Sequence, residues 1–140
     1  MLSDLRFTID VDIFIPFHDC DPMGIVWHGN YLRYFEVARE QLLNQFDYGY
    51  RQMLDSGYVW PVVDVKVKYR RSARFEQIVS VHATVAEYEN RLKINYVISD
   101  KNTGEKLTAG YTIQVAVDQK NNEMLFVSPD ILFARMGIQK

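Results

Sequence analysis

The chain has 140 residues, 48% hydrophobic and 24% charged, so it is long enough to bury a core without staples and too apolar for disorder. Sixteen Lys and Arg against eighteen Asp and Glu give a formal net charge of −2, which excludes the basic footprint of a nucleic-acid binder. Cys20 is the only cysteine, so no internal disulfide can form, in keeping with a reducing compartment.

Met1-Leu2-Ser3-Asp4-Leu5-Arg6 shows no basic segment followed by an apolar one, and no apolar run approaches the roughly 20 residues that cross a bilayer. The cytoplasm is expected by elimination. No repeat, low-complexity tract or Gly/Ser linker interrupts residues 1–140, which read as a single domain.

From Phe7 to Phe17 the chain alternates, with Phe7, Ile9, Val11, Ile13 and Ile15 on one side, and Pro16 ends the strand. The next segment, His18 to Asn30, is dense in Gly, Pro and Asp and predicts a loop. From Tyr31 the period lengthens. Tyr31, Phe35, Ala38, Leu42 and Phe46 recur at three- and four-residue steps, predicting one long amphipathic helix with Asn30 as N-cap. A shorter helical piece is expected over Tyr48 to Leu54, broken at Asp55-Ser56-Gly57.

The second half predicts strands. Val59 to Tyr69 is apolar and β-branched. Val79, Val81, Ala83 and Val85 form one stripe, and Leu92, Ile94, Tyr96 and Ile98 another, joined by a tight turn at Glu89-Asn90. Asp100 to Glu105, with Gly104, makes a second turn. Leu107, Ala109, Tyr111, Ile113, Val115 and Val117 then supply the apolar stripe of a long last strand. Ser128-Pro129 fits the start of a short terminal helix. One apolar face per strand predicts an antiparallel sheet wrapped on the single long helix, an α+β class. Exposed outer-face aromatics and edge-strand groups favour a homodimer or homotetramer.

The chemistry concentrates between His18 and Asn30. His18, Asp19 and Asp21, a thiol and two glycines precede a helix start, where unpaired N–H groups carry about half a positive charge. A carbonyl held there meets preset oxyanion donors, and a loop aspartate can attack it or activate a water. Acids before a helix are most often caps. Asp21, however, stands nine residues ahead of Asn30, too far along the chain to cap it simply. A metal set is disfavoured, because Asp19-x-Asp21 lacks the rest of a calcium loop and no His-x-x-x-His pair exists. Cys20 reads as a small buried hydrophobe more readily than as a nucleophile.

Asp19-Cys20-Asp21-Pro22-Met23-Gly24-Ile25-Val26-Trp27-His28-Gly29-Asn30-Tyr31 resembles the signature of the 4-hydroxybenzoyl-CoA thioesterase family of hotdog-fold proteins, in its branch of broad acyl-CoA thioesterases. Tyr34 to Arg39 and Val67 to Phe75 resemble the segments that follow it in that family. The resemblance implies a hotdog fold, an antiparallel five-stranded sheet around one central helix. It also implies hydrolysis of acyl-CoA to free acid and CoA, with no cofactor beyond the coenzyme A of the substrate.

By the same resemblance, Asp21 corresponds to the catalytic carboxylate, nucleophile or general base. His28 corresponds to the position whose backbone N–H polarises the thioester carbonyl. Gly24, Ile25, Val26, Trp27 and Tyr31 fall at the substrate, Glu36 is a second carboxylate on the helix, and Arg70, Arg71 and Arg74 run where coenzyme A phosphates pass. Asp19 takes a structural part, bonding loop amides. Where the family commonly has proline, this chain has Ser72, which leaves open which arginine faces a phosphate. Glu36 also reads as one of an acidic pair with Glu40 near Arg33 and Arg39, and the arginines as a solvated strand end. Two other functions compete: a hotdog dehydratase on 3-hydroxyacyl thioesters using His28 with Glu36, and a non-catalytic acyl-thioester binder. No G-x-S-x-G elbow is present, which argues against a serine route.

Overall fold

The structure is a computed structural model that describes residues 4–139, so the reading of Met1, Leu2 and Ser3 lies outside the described residues. In chain order the elements are β1 (Thr8–Phe14), α1 (Asn30–Asn44), α2 (Tyr50–Asp55), β2 (Tyr58–Val59), β3 (Val62–Tyr69), β4 (Ile78–Glu87), β5 (Leu92–Asp100), β6 (Lys106–Gln114), β7 (Val117–Asp118) and α3 (Asp130–Met136). Five strands form one antiparallel sheet in the order β1-β4-β5-β6-β3, and β2 pairs separately with β7.

The anticipated helix face is the one that packs. Tyr31, Phe35, Ala38, Leu42 and Phe46 are all buried, as are Val79, Val81, Ala83 and Val85 on β4 and the four stripe residues of β5. Burying such side chains supplies roughly 1.5–3 kcal/mol each, which is why this face is apolar and its reverse is not.

Two expected strands are each split. Proline has no N–H for a ladder, and Trp60-Pro61 divides the Val59–Tyr69 run into β2 and β3. The last strand likewise breaks after Gln114, where the Gln114 amide donates to the Trp60 carbonyl at 2.8 Å. Asn30 is not the N-cap: it is the first helical residue, and its side chain donates to the Asp19 carbonyl at 2.9 Å.

The stripe chosen on β6 needs a larger correction. Thr108, Gly110 and Thr112 pair with Ile98, Tyr96 and Ile94, so the small and polar parity faces α1; Ile113 is buried on the other side, and Leu107 joins the core from a bulge opposite Ile98 and Ser99. The reason is steric. Phe35 stacks on Tyr96 at 4.3 Å and 6°, directly over Gly110. A Cβ at 110 would collide with the Lys66 carbonyl and reach 2.9 Å from the Phe35 ring. Gly110→Ala is therefore expected to cost about 1–3 kcal/mol, read as a lower denaturant midpoint at unchanged m. An unaltered midpoint would mean that β3 and Phe35 yield freely.

Candidate active site

The segment around Asp21 is a miniature hairpin. Asp-Pro-Met-Gly suits a type I turn, with Asp at its first position, Pro at its second and a left-handed glycine closing it. Gly24 has φ 78°, its N–H donates to the Asp21 carbonyl at 2.9 Å, and the Asp21 N–H donates to Ile25 at 2.8 Å. Cys20 and Val26 pair beyond it. The Asp21 carboxylate is half-buried and one oxygen accepts the Met23 N–H at 2.8 Å, a local turn bond. Its other oxygen has no protein partner among the described residues.

Asp19 ties this hairpin to α1. Its carboxylate is 3% exposed, accepts the Tyr34 hydroxyl at 2.7 Å and pairs with Arg33, both one turn into the helix. Its carbonyl accepts the Trp27 N–H and the Asn30 side chain. Burial by itself raises the Asp19 pKa, but the hydrogen bonds from Arg33 and Tyr34 and the Arg33 charge outweigh it and hold the group below the usual carboxylate range. Burial and the bond to Asp19 push the Tyr34 phenol well up.

At the helix start, no protein acceptor takes the N–H of His28 or Gly29 among the described residues. The His28 carbonyl accepts the Tyr69 hydroxyl at 3.0 Å. The Trp27 indole is half-exposed, lies 5.0 Å from the His28 ring and rests against Gly29, leaving no room there for a side chain. Free donors at a helix N-terminus, walled by an indole, can hold a developing oxyanion.

The hairpin is zipped to the arginine segment. Val26 donates to the Ala73 carbonyl at 2.9 Å and Phe75 to the Gly24 carbonyl at 3.0 Å. A cleft of about 510 Å³ opens beside them, lined by Ile25, Arg71, Ser72, Arg74 and Gln77 among others. An adjoining cleft of about 440 Å³ is lined by Arg70, Arg71, Glu105 and Lys106. Arg71 pairs with Glu105 at 3.3 Å, which offsets part of this positive charge. Asp21 lines neither cleft.

Other expected residues fall elsewhere. Tyr31 is 2% exposed and its hydroxyl accepts the Ala73 N–H at 2.9 Å, so it braces the site rather than facing it; Val26 is buried too. Glu36 points to solvent, 4.0 Å from Arg39, and no contact joins it to His28 among the described residues. Burial, then the charges of Asp19 and Asp21, push the Cys20 thiol up, against a role as nucleophile. Sequence reasoning missed Tyr69, although its parity with Val65 and Val67 on β3 marks the helix-facing side.

A family model described as the thioesterase-like superfamily matches residues 15–134. The chain belongs to the thioesterase-like superfamily. It is 30% identical over 111 residues, 79% of this chain and 80% of the other, to the Bacillus subtilis (strain 168) protein named "Putative acyl-CoA thioesterase YneP". A DHNA-CoA thioesterase from Staphylococcus aureus superposes with a TM-score of 0.77 at 28% identity, covering 85% of this chain and 80% of that one. A 4-hydroxybenzoyl CoA thioesterase, solved as an Asp-to-Asn mutant with 4-hydroxybenzoyl CoA, superposes with a TM-score of 0.79 at 20% identity over 91% and 97%. These likenesses make the α+β architecture a hotdog fold in this thioesterase family.

The Asp19 knot gives the family's loop an acid limit here. Its folded pKa lies below the unfolded value of about 3.9, so its stabilisation is whole above that value and lost as pH falls through the folded pKa. Asp19→Asn is expected to cost about 1–3 kcal/mol at neutral pH and to flatten the fall in melting temperature below about pH 4. A variant that keeps the wild-type acid profile would move that sensitivity to another carboxylate.

Proposed function

We propose that this protein is an acyl-CoA thioesterase in which Asp21 acts on a thioester carbonyl held by the backbone N–H groups at the start of α1. One observation carries the reading: the ladder from Gly24 and Val26 to Ala73 and Phe75 brings the acid's turn, the helix start and the arginine clefts onto one stretch of surface. A thioester suits such a site, because its carbonyl is electrophilic and its thiolate leaves readily, so no serine or cofactor is needed. As nucleophile, the carboxylate adds to the carbonyl carbon while the electron pair moves onto oxygen beside His28 and Gly29. Collapse of that adduct expels CoA as thiolate, and water then cleaves the mixed anhydride to acid and free Asp21. As general base, Asp21 instead takes a proton from the water that attacks. Arg70, Arg71 and Arg74 supply forked donors for the phosphates of CoA.

Asp21→Asn keeps the acceptor oxygen that the Met23 N–H uses, so the turn survives. We expect kcat to fall at least about a hundredfold over aryl, short-chain and long-chain acyl-CoAs, followed by thiol release, with melting and ester binding unaltered. Near-wild-type turnover by that variant would remove Asp21 from the chemistry. In the same assay, alanine at Arg70, Arg71 or Arg74 raises KM more than it lowers kcat; a loss confined to kcat contradicts phosphate clamping.

The reading includes a second copy of the chain. β3 is a sheet edge, and every residue in it except Val67 is exposed. A long bare edge with Val65 and Tyr69 uncovered on the helix-facing side invites strand addition. Pairing β3 with its copy about a twofold axis covers both residues and supplies a further wall near the helix start. Sedimentation equilibrium is expected to give a dimer or tetramer, and a fully active monomer would overturn this part.

A further inference from the structure

The start of α1 is bonded in an unusual sense. A helix start has N–H groups without partners, so a side chain placed there normally supplies an acceptor. Here Gly29 stands at the N-cap with no side-chain bond, and the amide of Asn30 turns away to the Asp19 carbonyl at 2.9 Å. The side chain that does reach this point is a donor. The Tyr69 hydroxyl donates to the His28 carbonyl at 3.0 Å, an oxygen that the Tyr31 N–H reaches only at 3.4 Å.

Tyr69 is held for that contact from two directions. It is the last residue of β3, opposite Thr108 of β6, and the N–H groups of Arg70 and Arg71 both donate to the Leu107 carbonyl, at 2.9 and 3.0 Å. That shared acceptor pins the end of the strand. The Tyr69 ring meets the ring of Tyr31 edge to face at 5.2 Å and 71°. Tyr31 is itself buried, and its hydroxyl is engaged by the Ala73 N–H. The hydroxyl of Tyr69 therefore arrives from a braced ring on a clamped backbone, although the side chain is half-exposed.

The bond matters for what stands at the other end of the same peptide. The His28 carbonyl and the Gly29 N–H belong to one planar trans unit, so they point in opposite directions. A hydroxyl fixed on the oxygen thus fixes the direction of the N–H, which no protein acceptor takes among the described residues. It also makes that N–H a stronger donor, because hydrogen bonds in series polarise one another by about 10–30% each. We propose that Tyr69 is a positioning residue for thioester cleavage: its hydroxyl orients and polarises the His28–Gly29 peptide, so that the Gly29 N–H stabilises the developing oxyanion. This rests on the thioesterase reading and adds to it one named donor and the side chain that sets it. Tyr69 acts through the peptide and does not touch the substrate.

Tyr69→Phe removes the hydroxyl and keeps the ring against Tyr31. With benzoyl-CoA, kcat is expected to fall about tenfold, less than the roughly hundredfold cost of losing an oxyanion donor outright, while KM stays within about twofold. A tyrosine with a merely structural part would lower the melting temperature and leave the polarisation of a bound carbonyl alone. That polarisation is read by ¹³C NMR on a ketone analogue of benzoyl-CoA, with methylene in place of sulfur, which is not hydrolysed whatever Asp21 does. Bound to the wild type, its labelled carbonyl carbon is expected downfield of the free ketone, and Tyr69→Phe loses part of that displacement. In the ligand-free protein, the Gly29 amide proton is expected to move upfield in the same variant. Either an unchanged kcat or an undiminished displacement in Tyr69→Phe overturns the proposal and leaves the thioesterase reading standing. A ketone carbon that binding to the wild type does not displace overturns both. Near-wild-type turnover by Asp21→Asn, with a displacement that still depends on Tyr69, removes the acid from the chemistry and supports the role of Tyr69.

Discussion

The height of α1 above its sheet is set by one missing side chain. Phe35 can lie flat on Tyr96 only because β6 carries glycine at the position beneath the ring. With any larger residue at 110, the helix would have to lift or β3 move outward. Either change would shift the start of α1 against the hairpin that carries Asp21. Packing in the middle of the helix thus fixes the geometry at its end, and interiors this dense pass such displacements on rather than absorbing them.

From that fixed helix, Asp19 sets the position of the loop. Its carboxylate is held by the helix and its carbonyl by Trp27 and Asn30, so a single residue links side chain to scaffold and main chain to site. Burying a carboxylate is costly unless it is paired and hydrogen-bonded, and here the partners are sufficient to keep it ionised. Asp19 is engaged on every side, whereas Asp21 two residues later keeps one carboxylate oxygen without a protein partner among the described residues.

Much of this was legible from residue order, and what was not has a physical cause. The helix face was read correctly because Tyr31, Phe35, Ala38, Leu42 and Phe46 meet only core, so period alone decides. The stripes of β4 and β5 were legible for the same reason. β6 was not, because both its faces are partly buried and the side toward α1 is chosen by clearance under Phe35 rather than by hydropathy. Local pattern also hid the break at Trp60-Pro61, since the residues on either side are β-branched and apolar. At the candidate site, Asp21, Gly24 and His28 were singled out by loop chemistry and by likeness to a family. Tyr69 and the backbone ladder to Ala73 were not, because they join segments over 40 residues apart.

The open flank beside the start of α1 and the bareness of β3 have one cause. The helix packs chiefly on β4 and β1, toward the opposite edge of the sheet from β3, so its other flank and the inner side of β3 stand open together. A monomer with this sequence would leave Tyr69 exposed beside the proposed oxyanion donors, in bulk water, where hydrogen bonds to a developing charge are weakest. The donors gain strength only if something dry closes that flank. In the proposed dimer a second copy laid edge to edge would do so with no further residues, and assembly and chemistry would then be a single requirement rather than two.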